Sequence, residues 1–473
     1  MASITYAEAA HLLRRMGFGG PPEEIDDIVS RGREGAVEHL INYKRVNNKA
    51  LDDVLAAAFS ASTFFGPLDI ERWWFTRMVF TRRPFEEKMT LFWHNHFATS
   101  YSKAPYPFMY AQNKTLRKYA LDQFDTLLLN VSKDPAMLVW LDGIFNVLGR
   151  PNENWARELQ ELFTMGVNDV VTGEANYTEK DVKEIARAFT GWKYKIKRGD
   201  IYKPKFIIVA GEHDNGAKEV YGRTANFTGE DIITMICERR ATGRFLVKKL
   251  FEFFVYPLGS GAEDAATIER FAAVYAGSNH SVEALVRAIF TSDEFFGERA
   301  RMALVKSPIE YIVGAIRMLG ARYNPGDNAA GRPDFLLPSL SARMGLELLN
   351  PPDVAGWEQG LGWLNTSTII ERFNFANYLV INRPTNESLP GGWLTPNQVK
   401  KYTLPGAQQT VEKFLSLLGP LDVDPETVRV LAEYLQTDDR GDRIDFVVND
   451  ETVDKSVRGL IHLILCMQEF QLN

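Results

Sequence analysis

Three histidines and three carboxylates, His94, His96, His213, Asp142, Glu158 and Glu161, form the one set of side chains in this sequence with enough ligands for a metal ion. Mixed imidazole and carboxylate ligation suits zinc, iron or manganese, and the residue types do not choose among them. A metal-bound water could attack an ester or glycosidic-type bond, with Glu158 or Glu161 as base. Without a metal the two glutamates can still serve as an acid/base pair. At i, i+3 on one helix, however, they stand close together for two groups that must flank a bond from opposite sides. The rival reading is a non-enzymatic helical scaffold. There Arg157, Glu158 and Glu161 form a buried ion-pair network, and an aromatic loop near Trp357 binds a partner protein.

The stretch that must position the glutamates runs from Pro151 to Trp192 and reads as two helices. Asn152 is a good N-cap and Gly166 a good stop. Trp155, Leu159, Leu162 and Phe163 make one apolar face, and Asn154, Glu158 and Glu161 lie on another. Arg157 is within ion-pair reach of Glu161. Thr178 to Asp181 resembles a capping box that opens the second helix. Asp142, just upstream, is either a turn former or an acid aimed into the same cleft.

The histidines need other elements. His94 and His96 end an aromatic helix that starts at Pro84. In an extended segment their side chains share a face and could share a metal. Within a continuous helix they diverge by about 200°. The alternative is that one makes a local hydrogen bond while the other packs with Trp93. His213 and Asp214 begin a loop, HDNGAK, after a stretch that reads as a hairpin of residues 192–197 with 205–209. In that loop Lys218 is a candidate to hold an anionic substrate group, and a plain turn is the alternative. Trp357 and Trp363 lie on an irregular Pro- and Gly-rich stretch that can line a pocket and stack a flat or sugar-like substrate, or simply pack. Arg244, Lys248 and Lys249 make a basic face, either solvated or anion-binding. Glu8 and His11, at i, i+3, have the spacing of some metal sites, though such pairs are common by chance.

With 473 residues, 45% of them apolar and 24% charged, the chain is an ordinary globular one with room for two or three domains. The net charge of −7 argues against a general nucleic-acid or anionic-membrane binder. The two cysteines, Cys237 and Cys466, suggest no disulfide framework. No apolar run is long enough to span a membrane. The N-terminus has no signal-peptide pattern, so the chain as written reads as cytoplasmic, or as exported if a signal was removed. HExxH, Walker A, GxSxG and Rossmann motifs are absent. The periodicities predict a mainly α, large multi-helix fold with a small β-hairpin insertion near residues 192–220. Residues 1–380 read as the main helical domain, 381–405 as a linker, and 406–473 as helices packing on the main domain. A loop is expected at 323–333.

Several segments together resemble the family of unknown function numbered 1800. They are PAMLVWLD at 135–142, NENWARELQELFTMG at 152–166, YTEKDVKEIARAFTGW at 177–192, WHNHF at 93–97 and HLLRRMGFG at 11–19. The HDNGAK loop, FLVKKL at 245–250, KSPIE at 306–310, NPPDVAGW at 350–357 and QEF at 468–470 extend the likeness over nearly the whole chain. The resemblance implies a mostly helical bacterial protein without an agreed activity. Such proteins are often exported and often encoded beside a sulfatase-like or phosphatase-like protein, which would be the expected partner.

Overall fold

The computed structural model of the protein describes residues 3–59, 64, 66–197, 200–321, 323, 333–381 and 393–473. Most of the expected loop at 323–333 and part of the expected linker at 381–405 lie outside these residues. The described remainder of the linker holds buried Trp393 and a helix, Pro396–Tyr402.

The fold is mainly α, with two small antiparallel sheets among the described residues. Strand β1 (Trp192–Lys195) pairs with β2 (Lys205–Ile208), with Trp192 opposite Ile208. This is the expected hairpin. A second one, β3 (Lys218–Val220) with β4 (Arg223–Ala225), follows at once. Its two loop residues, Tyr221 and Gly222, both have positive φ, 50° and 75°. That is the twist a two-residue hairpin loop requires.

The chain divides into two compact units. The first comprises residues 1–85, 296–348 and 358–473. Its opening helix, Tyr6–Arg15, begins with a complete capping box between Thr5 and Glu8. Buried cations then bind main-chain carbonyls far away in sequence. Arg15 donates to Ala300 O and Asn473 O at 2.7 and 2.9 Å. Arg317 donates to Val79 O and Thr81 O, at the end of the helix Pro67–Phe80. Arg458 donates to Val380 O, the end of the helix Thr366–Val380. Lys306 donates to Phe470 O and Leu472 O, each at 2.6 Å. Helix C-termini leave carbonyls without intrahelical partners, and in this unit long cationic side chains supply several of them. Glu71, on the helix Pro67–Phe80, is 5% exposed, and its carboxyl group neither accepts a hydrogen bond nor forms an ion pair among the described residues. Burial, reinforced by Glu347, raises its pKa to about 8.

The second unit comprises residues 86–295 and 349–357. Its core is aromatic. The helix Pro84–His96 delivers Phe92 and Trp93, which meet Phe124, Phe253 and Phe254. The helix Arg240–Phe254 contributes Phe245, Phe251 and Phe254, all buried. No helix of the described residues is long and apolar enough to cross a membrane.

Candidate functional site

The helix Asn154–Glu161 buries Trp155, Ala156, Leu159 and Gln160 and leaves Arg157, Glu158 and Glu161 on its partly exposed flank. The N-cap is Glu153, without a side-chain cap bond, rather than the expected Asn152, which still accepts from Asn154 N through its side chain; the helix ends at Glu161, ahead of the expected stop, and Gly166, with φ 78°, lies in the turn that follows. The capping box of Thr178 with Asp181 is complete and starts the helix Glu179–Ala188. Asp181 also accepts from Tyr221 N at 2.7 Å, which fixes the second hairpin against this helix. Gln160 accepts from the Tyr221 hydroxyl at 2.8 Å.

On the open flank, Glu161 accepts a hydrogen bond from the Tyr177 hydroxyl at 3.3 Å. Burial, then the neighbouring Glu161, push the Tyr177 phenol up to about 12. The Glu158 carboxylate neither accepts a hydrogen bond nor makes an ion pair among the described residues. Partial burial, and then the charge of Glu161, raise its pKa above the ordinary 4.5, against a smaller opposing effect of Arg157. Arg157 itself turns to Glu179, with bonds of 2.8 and 2.9 Å, and to Glu153 at 3.4 Å. The expected Arg157–Glu158–Glu161 ion-pair network is therefore not the arrangement present, and Arg157 is 35% exposed rather than in a dry interior.

The other candidates are placed separately. Asp142 has a left-handed backbone, φ 60°, and pairs with Lys103 at 2.8 Å. Asn154 reaches it only at 3.5 Å. His94 and His96 lie within one continuous helix, so they diverge. The His94 ring accepts from Leu349 N through Nε2 at 3.0 Å and packs against Trp357. The His96 Nε2 meets Phe163 O at 3.0 Å, inside a shell of Phe92, Trp93, Phe97 and Phe245. Burial drives both imidazoles down to about 3, with Lys249 adding to the effect on His96. His213 meets Thr190 O through Nδ1 at 2.8 Å, and Asp214 is clamped by Arg187 at 2.7 and 3.2 Å. Lys218 is fully buried, and its ammonium donates to Asp214 O, Gly216 O and Asn226 Oδ1 at 2.7, 2.9 and 3.1 Å. With three donors so engaged it staples the HDNGAK loop.

Trp357 is 6% exposed, and Trp363, in the first unit, is 4% exposed, so neither ring offers an open stacking face. Of the basic face, Arg244 is paired with Asp169 and Glu269, and Lys248 with Glu252. Among the described residues, no group of three or more His, Cys, Asp or Glu side chains is placed to hold a metal ion. The mixed set for zinc, iron or manganese is not assembled, and neither is a site built on Glu8 and His11.

Two contributors escape a reading of the sequence. Tyr177 precedes a helix start, and no helical spacing links it to Glu161. Asn95, between the two histidines, accepts from Trp357 N at 2.8 Å. Gly356, with φ 88°, comes so close that a Cβ there would lie 2.3 Å from Asn95 Oδ1. A Gly–Trp pair more than 250 residues downstream was the only available hint.

No curated protein and no solved structure gives a significant match to the chain. The model of the family described as "Protein of unknown function (DUF1800)" matches residues 11–472, so the chain belongs to that family.

Proposed function

We propose that the Glu158–Glu161–Tyr177 flank of the second unit is a carboxylate acid/base site and that the protein is a hydrolase. The observation that carries this is Glu158, a partly buried carboxyl that neither accepts a hydrogen bond nor makes an ion pair among the described residues and stands beside a second carboxylate. Scaffolds satisfy such groups, whereas acid/base sites leave them available and shift their pKa. Glu158, whose proton is retained to higher pH, acts as the acid toward a leaving group. Glu161, oriented by Tyr177, takes the proton of the attacking water. Because both groups come from one helix face, the substrate lies across that face.

The test is a panel of chromogenic esters and glycosides with the wild type and Glu158→Gln. Positioned acids and bases contribute about 10²–10⁴-fold, so the variant loses that much rate. Arg157 keeps its partners Glu179 and Glu153 in the variant, so the fold is expected to persist. Equal hydrolysis by both proteins, or none by the wild type, refutes the assignment.

A second reading is a scaffold for a partner, the sulfatase-like protein that the family likeness suggests. It is favoured by the local backbone partners of His94, His96 and His213, and by exposed Phe145, Leu148 and Ile208 on the second unit. Co-purification with such a partner, lost in a Phe145→Ser/Leu148→Ser variant, would support it.

A further inference from the structure

The first unit holds a cavity of about 560 Å³, none of whose lining residues belongs to the Glu158 flank. This is within the usual size of small-molecule sites, roughly 300–1,000 Å³. Its chemistry changes from floor to mouth. The helix Tyr6–Arg15 supplies His11 and Arg14, which are 5% and 7% exposed. Phe296, Leu415 and Leu421 are buried apolar walls. Arg301, Glu412 and Asp422 are exposed at the rim.

The charges at the floor are arranged rather than scattered. Glu8, the one acid among the lining residues that is not exposed, already accepts from Thr5 and from Arg33, at 2.8 and 3.0 Å. Arg33 in turn lies 4.1 Å above the Phe296 ring. Arg14 brings a buried positive charge to the same floor. Its Nη1 donates to Gly419 O at 2.7 Å, which fixes the guanidinium. Position 419 is a glycine with φ 117°, and a Cβ there would stand 3.0 Å from that nitrogen. Burial lowers the pKa of Arg14 to about 10. A buried guanidinium next to apolar walls is a receptor for a carboxylate carried on an apolar body. The acidic residues at the rim disfavour heads that carry more than one negative charge.

We infer that this cavity is a binding site for an amphipathic monocarboxylate, such as an acyl or aryl-alkyl acid. Its carboxylate lies at Arg14 and His11, and its apolar body lies along Phe296, Leu415 and Leu421. The site is independent of the hydrolase proposal and is tested apart from it.

The probes are decanoate and its uncharged amide, titrated into the full chain by calorimetry and by saturation-transfer NMR. The wild type binds decanoate saturably and at least tenfold more tightly than decanamide. Val428→Trp, at a half-buried lining position, fills the cavity and weakens decanoate at least tenfold. Arg14→Gln brings the acid and the amide to nearly equal affinity. The charge preference is read on the wild type alone, so a misfolded Arg14 variant does not blunt the test. Absence of saturable decanoate binding, equal binding of acid and amide, or undiminished binding to folded Val428→Trp overturns the proposal.

Discussion

Replacing Glu71 with glutamine should make the protein more stable, and increasingly so as the pH rises. The carboxyl is 5% exposed, and its pKa is raised from 4.5 to about 8 by burial and then by Glu347. Below pH 4.5 the group is protonated in the folded and unfolded chains alike, and no stability is lost. As the pH climbs toward 8, the unfolded chain ionises freely while the folded chain holds its proton. The stability of the wild type therefore drains away across this window. Each pK unit is worth about 1.36 kcal/mol, so the loss between pH 5 and pH 8 is on the order of 3 kcal/mol. Glutamine does not titrate, and whatever its amide costs in the site is the same at both pH values. The assay is urea unfolding followed by tryptophan fluorescence, since Trp73 and Trp74 are buried on the same helix. Glu71→Gln minus wild type should be about 3 kcal/mol more favourable at pH 8 than at pH 5. A difference that does not change with pH would show that Glu71 is ionised in the folded state and that its environment has been misread.

Three further expectations concern the second unit. Glu158 is needed in its protonated form and its pKa is raised, so hydrolysis should fall as pH increases through that pKa, a limb that Glu158→Gln abolishes in a pH–rate profile. Gly356→Ala would set a Cβ 2.3 Å from Asn95 Oδ1 on a backbone with φ 88°, and should destabilise the protein by at least ~1 kcal/mol in denaturant melts. Lys218→Met removes three part-buried charge-assisted hydrogen bonds, such bonds being worth roughly 1.5–3 kcal/mol each, and limited proteolysis should then cut the 213–218 loop faster while the rest of the unit stays resistant.

Local signals carried the reading of the fold furthest. The capping box at Thr178 and the pairing of residues 192–195 with 205–208 are written in neighbouring residues, whereas the expected stop at Gly166 lies five residues beyond the end of the helix at Glu161. Equally local is the apolar face of the helix that carries Trp155 and Leu159, where burial follows the 3.6-residue period. The candidate site was less legible, because the deciding partners are main-chain atoms distant in sequence. His94 finds Leu349 N, His96 finds Phe163 O, and Lys218 finds the carbonyls of its own loop. Any residue can supply such atoms, so they leave no mark in composition or spacing. Histidines that looked like ligands because they were few proved to be held one by one. The helix runs on through His96, the condition under which the two cannot converge. By spacing Arg157 is in reach of Glu161; its closest bonds go instead to Glu179, which begins the next helix, and a longer one to Glu153 at the cap of its own.

The long-range ties of the first unit bear on the order in which the chain can fold. Arg15 bonds to Ala300 O, and Lys306 to Phe470 O. Residues 1–85 thus emerge from the ribosome long before the segments that complete their unit, while 86–295 form most of the other unit without interruption. At ordinary elongation rates the wait is on the order of tens of seconds. During it Leu12 and Leu13, buried in the finished protein, have only the neighbouring helix Pro22–Ile41 and the rest of residues 1–85 to pack against. Synthesis is therefore the period in which the opening helices lack the partners that complete their unit, and a nascent chain stalled near residue 300 would carry one nearly finished unit behind an incomplete one.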